Sequence, residues 1–198
     1  MSDALVPDPA LVRAVLPDHI DVPGLVVRTW QVSDVPALSQ AIAENLEHLR
    51  PFLPWVAQEP MGGDERALMV TDWERDRLHG GDVLYGILED GRVVGGTGAH
   101  TTRTKAADGI EIGYWLCADA QGRGLMSRVV DALTRALLAH PGITHVEIRH
   151  DVANLRSASI PPRCGYRLVG QEHRTVAAPA ETGSGLVWRI GAEPAPPE

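Results

Sequence analysis

Seven consecutive residues, Gln121-Gly122-Arg123-Gly124-Leu125-Met126-Ser127, have the composition of an anion cradle. Two glycines flank an arginine just ahead of an apolar helical pattern carried by Leu125, Met126, Val129, Val130, Leu133 and Leu137. Glycine begins a helix poorly unless the backbone must bend unusually or admit a ligand closely. A helix N-terminus presents unpaired N–H groups and the positive end of a dipole, which suits phosphate. Gly122 and Gly124 would let a diphosphate reach the main chain without meeting a Cβ, and Arg123 adds a cation. The alternative is a strand-to-helix turn that needs glycine for its own geometry. The common nucleotide motifs do not match: there is no G-x-x-x-x-G-K-[S/T], and no G-x-G-x-x-G with a ribose-binding acid.

Further along, Asn154-Leu155-Arg156-Ser157 precedes Gly165-Tyr166. The Ser157 hydroxyl can carry a proton or cap a helix, and both are natural for serine. Upstream, the apolar connection RPFLPWVAQEP (50–60) sets Phe52 and Trp55 between prolines. Rings in a surface loop suggest a binding wall, to which Tyr85 and Trp115 can add; the alternative is that they cap the sheet. Cys117 and Cys164 have no partner at disulfide-framework or metal-ligand spacing and read as core packing. The eight histidines show neither H-x-x-x-H nor H-E-x-x-H spacing, so no metal is expected.

The elements that must position these residues run β-α-α-β-β-β-α-β-α-β-β. Strands are expected at 24–30, on both sides of Asp90-Gly91, and at 110–117, 143–150, 166–173 and 185–191; helices at 33–49, 62–81 and 123–140, with a short one before Gly165. The Asp-Gly pair between apolar runs is a hairpin signal, which excludes a purely parallel doubly wound sheet and predicts an α/β protein with a mixed sheet. Residues 1–22 read as a proline-rich flexible arm, 23–191 as one domain, and 192–198 as a disordered tail. The net charge of −8 argues against a nucleic-acid partner and is compatible with an amine-bearing one. No apolar run reaches the length of a membrane span and the N-terminal segment lacks the pattern of a signal peptide, so the expected location is the cytoplasm, with no membrane partner.

Three pieces, in order and at the right spacing, resemble one family. Q-G-R-G-L-M, from Gln121 to Met126, is similar to the Q/R-x-x-G-x-G/A acyl-CoA signature of the GNAT superfamily of N-acyltransferases. Asn154 to Ser157 resembles its N-x-x-S element, and Gly165-Tyr166 its following G-F/Y pair. EIGYWL before the loop, LRPFLPWV and the late strands look like the RimJ/RimL-like branch, which acetylates N-terminal alanines of ribosomal proteins. The resemblance covers roughly residues 24–190. It implies the GNAT fold, a mixed sheet of about six to seven strands flanked by helices on both faces.

It also implies roles. The amides of Gly122 to Ser127 would hold the CoA diphosphate, and the strand edge at Tyr114, Trp115 and Leu116 would pair with the pantetheine amides. An N–H near Leu116 or Cys117 would polarise the thioester carbonyl, Asn154 would reach the pantetheine, and the loop with Phe52 and Trp55 would line the acceptor groove. Two positions depart from the pattern: Met126 stands where Gly or Ala is usual, and Pro161 where relatives often carry a tyrosine that returns a proton to the thiolate. Ser157 is therefore the leading general acid. Pro161 and Pro162 also predict a kinked or shortened helix after Asn154.

An α-amine of pKa about 8 needs only modest help from a base. Glu111, acting through water, is favoured over Glu147, and His150 is a second proton carrier; strand glutamates are also commonly satisfied by an arginine across the ladder. The resulting expectation is a direct, ternary-complex transfer from acetyl-CoA to a primary amine by a homodimer, the dimer resting on resemblance only. Three alternatives stay open. One is a succinyl donor, held by Arg149 or Arg156, or a small-molecule acceptor. The second is a non-catalytic acyl-CoA-binding module, motivated by Pro161. The third is an unrelated α/β binding protein.

Overall fold

The computed structural model describes residues 16–101, 103–104 and 108–192. Among these residues eight strands form one sheet in the order β1-β2-β3-β4-β5-β6-β8-β7. They are β1 (His19–Val22), β2 (Leu25–Thr29), β3 (Val83–Glu89), β4 (Arg92–His100), β5 (Gly109–Leu116), β6 (His145–Asp151), β7 (Arg167–His173) and β8 (Ser184–Gly191). The helices are α1 (Val35–Ala43), α2 (Leu46–Leu49), α3 (Gly63–Leu78), α4 (Leu125–Leu138), α5 (Leu155–Ala158) and α6 (Ile160–Arg163). The mixed α/β sheet is as expected, with one strand more than the six or seven anticipated. That strand is β1, which occupies the end of the expected arm. Ile20 and Val22 point into the core while His19 and Asp21 point out, the alternation of an edge strand. The remaining arm, 1–15, and tail residues 193–198 lie outside the described residues.

The β3–β4 hairpin turns at Asp90 and Gly91, whose φ values of +50° and +81° fit the turn that matches strand twist. A register shift at Ile87/Leu88 then brings Val83 opposite Ala99. On one face of the sheet, glycines let large rings lie on the backbone: a Cβ at Gly86 would stand 2.9 Å from the Trp30 ring, and one at Gly96 2.6 Å from Trp115 Nε1. This face carries α1 and α3. The amphipathic α4 buries Leu125, Met126, Val129, Val130, Leu133 and Leu137 against β1, β5 and β6.

Strands β5 and β6 are parallel neighbours, yet they pair only at Gly109–Glu111 with His145–Glu147. Both continue beyond that register, so a wedge opens between Ile112–Leu116 and Ile148–Asp151. Pro161 and Pro162 lack N–H donors, and the segment after Asn154 is accordingly two four-residue helices rather than one long one. Among the described residues no helix is long and apolar enough to cross a membrane.

Candidate active site

Two cavities meet at the wedge. The first, about 990 Å³, is walled by the β5 edge at Tyr114, Trp115 and Leu116, by Gln121, Gly122 and Gly124 to Ser127, and by Asn154 to Ser157. Gly122 and Gly124 have φ of +72° and +73°, the left-handed region, and a Cβ at either would meet nothing within 4 Å. Glycine is thus required by conformation and not by crowding, and the space before it is open. No side chain caps α4, so its first N–H groups face the cleft unsatisfied, and Ser127 Oγ is buried without a partner. Uncapped amides, an open approach and an orphan hydroxyl fit a diphosphate.

Leu125 and Met126 bury their side chains and offer only main-chain amides, so a bulky residue at Met126 leaves the cradle intact. The Arg123 guanidinium does not line the cleft. It is paired in two-pronged fashion with Glu89 at 2.6 and 2.8 Å, leaving its amide as its contribution. The Gln121 side-chain amide lies 2.6 Å from His48 Nε2, and Arg156 approaches His48 Nδ1 at 3.2 Å. Burial, and then the Arg156 charge, hold the His48 pKa below its ordinary value. His48 was not expected here, because it comes from α2.

Asn154 caps α5, its Oδ1 accepting the Ser157 N–H at 3.1 Å. The Ser157 hydroxyl therefore has its cap made by another residue, and its Oγ lies 3.1 Å from the Tyr114 hydroxyl. Burial pushes the Tyr114 phenol pKa well up, so it remains protonated.

The second cavity, about 840 Å³, lies on the glycine-lined face. It shares Phe52, Leu53, Tyr114, Trp115, Asn154 and Ser157 with the first. Trp55 meets Trp115 edge to face, with centroids 6.1 Å apart. The loop that carries Phe52 and Trp55 is anchored by Glu59, whose carboxylate accepts from the buried Arg66 guanidinium at 2.7 Å and from the Met61 N–H at 3.0 Å. Tyr85 differs from expectation. It is fully buried, and its hydroxyl donates to the Pro17 carbonyl at 2.8 Å, so it supports the cavity from the core and has no polar group to offer an acceptor.

The expected proton carriers are committed elsewhere. Glu111 Oε2 accepts from Arg149 at 2.8 Å, and its Oε1 faces Arg103 at 3.6 Å. Arg149 also meets Glu147 and Glu172, while Arg189 clasps Glu147 from β8. Glu111 is thus a link in an ion-pair chain, between Arg103 and Arg149, and Arg149 is not free to hold an acidic acyl group. His150 Nε2 accepts from the Trp188 indole at 3.0 Å and its Nδ1 donates to the Asp151 carbonyl at 2.9 Å, leaving neither nitrogen free.

Sequence reasoning also missed a pair that lines this cavity or borders it: His100 Nδ1 lies 2.5 Å from Asp82 Oδ2. The signal was available. Counting outward from Asp90-Gly91, with one residue allowed for the bulge, sets position 82 against position 100.

The geometry is matched by comparison with known proteins. A family model described as an acetyltransferase (GNAT) domain matches residues 24–167. YdaF of Bacillus subtilis (strain 168), assigned by inference to the ribosomal N-acetyltransferases, is 26% identical over 146 residues, covering 72% of this chain and 77% of that protein. RimL, a ribosomal L7/L12 alpha-N-protein acetyltransferase solved with coenzyme A, superimposes with TM-score 0.79 at 24% identity, over 87% of this chain and 97% of its own. MccE, a microcin C7 self-immunity acetyltransferase solved with acetyl-CoA and AMP, gives TM-score 0.80 at 18% identity, over 90% and 99%. With the wedge, the uncapped glycine loop and a family match across well over half of its length, the chain belongs to the GNAT acetyltransferases.

Proposed function

We propose that this acetyltransferase passes an acetyl group from acetyl-CoA to a protein N-terminal α-amine by direct attack in a ternary complex. One observation carries the reading: the two cavities share the wall formed by Tyr114, Trp115, Asn154 and Ser157. A donor in one and an amine in the other meet there without a covalent relay. Cys117, just past the end of β5, has its side chain buried in the core, and burial raises the pKa of both thiols, so neither cysteine is a ready nucleophile.

In this reading the amides of Gly122 to Ser127 bind the diphosphate, and the free edge of β5 at Tyr114–Leu116 pairs with the pantetheine amides. Bound there, acetyl-CoA supplies an activated thioester. An N–H at the end of β5 stabilises charge on its carbonyl oxygen, and Ser157 gives a proton to the departing sulfur. Phe52 and Trp55 pack the acceptor. The engagement of Arg149 by three carboxylates supports acetyl over an acidic acyl group. The ribosomal substrates named for YdaF and RimL support a protein N-terminus.

The test is release of free CoA thiol from acetyl-CoA or succinyl-CoA with peptides beginning in Ala or Ser, compared with spermidine and free amino acids. Acetyl-CoA with a peptide acceptor should be fastest. Binding of acetyl-CoA without thiol release from any acceptor would overturn the catalytic reading in favour of a binding module.

A further inference from the structure

The reading above leaves the acceptor's proton without a recipient, since Glu111 and His150 are both engaged. The geometry points to His100 as the general base of this enzyme, set in its working orientation by Asp82. The assignment rests on the transferase reading.

His100 ends β4, retains 8% exposure and lines the acceptor cavity. Its Nδ1 is 2.5 Å from Asp82 Oδ2, and Asp82 is held in turn by the Thr101 N–H to Oδ1 at 2.8 Å. Burial pushes the Asp82 carboxyl upward, but the His100 hydrogen bond and charge and the Thr101 amide outweigh it, so its pKa falls below the ordinary range. An ionised Asp82 takes the Nδ1 proton as its hydrogen bond, which leaves the lone pair on Nε2. That nitrogen lies 3.0 Å from where a Cβ would stand at either Gly98 or Gly113. The ring edge therefore sits in a hollow made by two missing side chains. Trp115 lies two residues beyond Gly113 on the same face of β5, so the hollow adjoins the shared wall of the two cavities.

The electrostatic surroundings are mixed. Glu111 stands opposite His100 across β4–β5, with Arg149 of β6 behind it. Arg103 follows β4 and acts on Asp82. The far wall contributes the Arg66–Glu59 pair, already neutralised, and the late strands contribute Glu172 with Arg174.

In the step, His100 Nε2 accepts one proton from the acceptor ammonium. The nitrogen lone pair then bonds to the acyl carbon as the carbon–sulfur bond breaks. The second amine proton ends on sulfur, delivered through Ser157, and His100 releases its own to water. Products are the amide, free CoA thiol and one proton.

The test is the pH dependence of kcat/KM for wild type, His100→Gln and Asp82→Asn, with an alanine-initiated pentapeptide and with a small acyl hydrazide that carries no other amine. The hydrazide is already uncharged at neutral pH and needs no base for its first proton. Wild type should gain rate as pH rises and then level off. His100→Gln should lose that inflection and fall about 10²- to 10³-fold on the amine near neutrality, with a much smaller fall on the hydrazide. Acetyl-CoA affinity, read by calorimetry, should be unchanged. If His100→Gln loses that affinity, Asp82→Asn carries the test: it keeps the imidazole, frees its orientation and should slow the amine more than the hydrazide. An unchanged pH profile, or equal losses on both acceptors, overturns the assignment. A wild-type protein that binds acetyl-CoA but releases no thiol with either acceptor overturns the transferase reading itself, and the base with it.

Discussion

The Tyr114 hydroxyl lies 3.1 Å from Ser157 Oγ and 3.3 Å from the Ser157 carbonyl oxygen, tying the free edge of β5 to the short helix across the wedge. When the phenol donates to Oγ, the serine's own proton is free for another acceptor. Ser157→Ala is expected to lower kcat about 10²-fold with little change in acetyl-CoA affinity. Tyr114→Phe keeps the strand edge and should lower kcat by less. Steady-state kinetics beside calorimetry separates the two effects; an unchanged kcat in Ser157→Ala would return that residue to a purely structural role.

The glycine loop makes a separate prediction. Because a Cβ at Gly124 meets open space, Gly124→Ala is penalised only by its left-handed backbone, at about 1–2 kcal/mol. Gly124→Glu adds a carboxylate where the diphosphate is proposed to bind, and should abolish acetyl-CoA binding. Thermal melting reads the first cost and calorimetry the second. Undiminished affinity in Gly124→Glu would move the phosphate site elsewhere.

Elements fixed by local chemistry were legible: the Asp90-Gly91 hairpin, the apolar stripe of α4, the glycine loop and the proline break after Asn154. Features that depend on what the fold brings together were not. β1 is four residues long and exists by pairing with β2, so its alternation is too short to announce it. Arg123 looks like a phosphate cation in isolation, but Glu89 at the hairpin's end captures it. Glu111 looks like a free carboxylate until the parallel pairing with β6 brings Arg149 within 2.8 Å. The Asp82–His100 pair needed both the hairpin register and its bulge to be counted.

The ion-pair chain between β5, β6 and β8 should matter more for stability than for chemistry. Glu147 is 1% exposed and lies between Arg149 and Arg189, the latter at 2.5 and 2.9 Å. Removing its charge leaves two part-buried guanidinium groups short of a partner, since Glu111 satisfies only part of Arg149. Glu147→Gln is expected to cost about 3–5 kcal/mol, several times the effect of cutting an exposed pair such as Arg92–Asp119. Urea unfolding of Glu147→Gln against Asp119→Asn checks the contrast; equal midpoints would show that water already reaches the chain.

Asp34 supplies the clearest pH signature. Arg28 donates to both of its oxygens at 2.7 and 2.8 Å, and the Gln31 N–H donates at 2.9 Å. The Arg28 hydrogen bonds hold its pKa below the ordinary aspartate value despite burial. With the folded pKa below the unfolded one of about 3.9, the contribution is fully present above that pH and is lost as pH falls through the folded value. Asp34→Asn should therefore be about 2 kcal/mol less stable than wild type near neutrality. That gap should close in acid as wild type takes up the proton that Asn cannot bind. Urea unfolding of both proteins from about pH 6 down to about pH 3 measures it. A gap that stays constant would mean that Asp34 acts through shape alone, with the Arg28 charge contributing nothing.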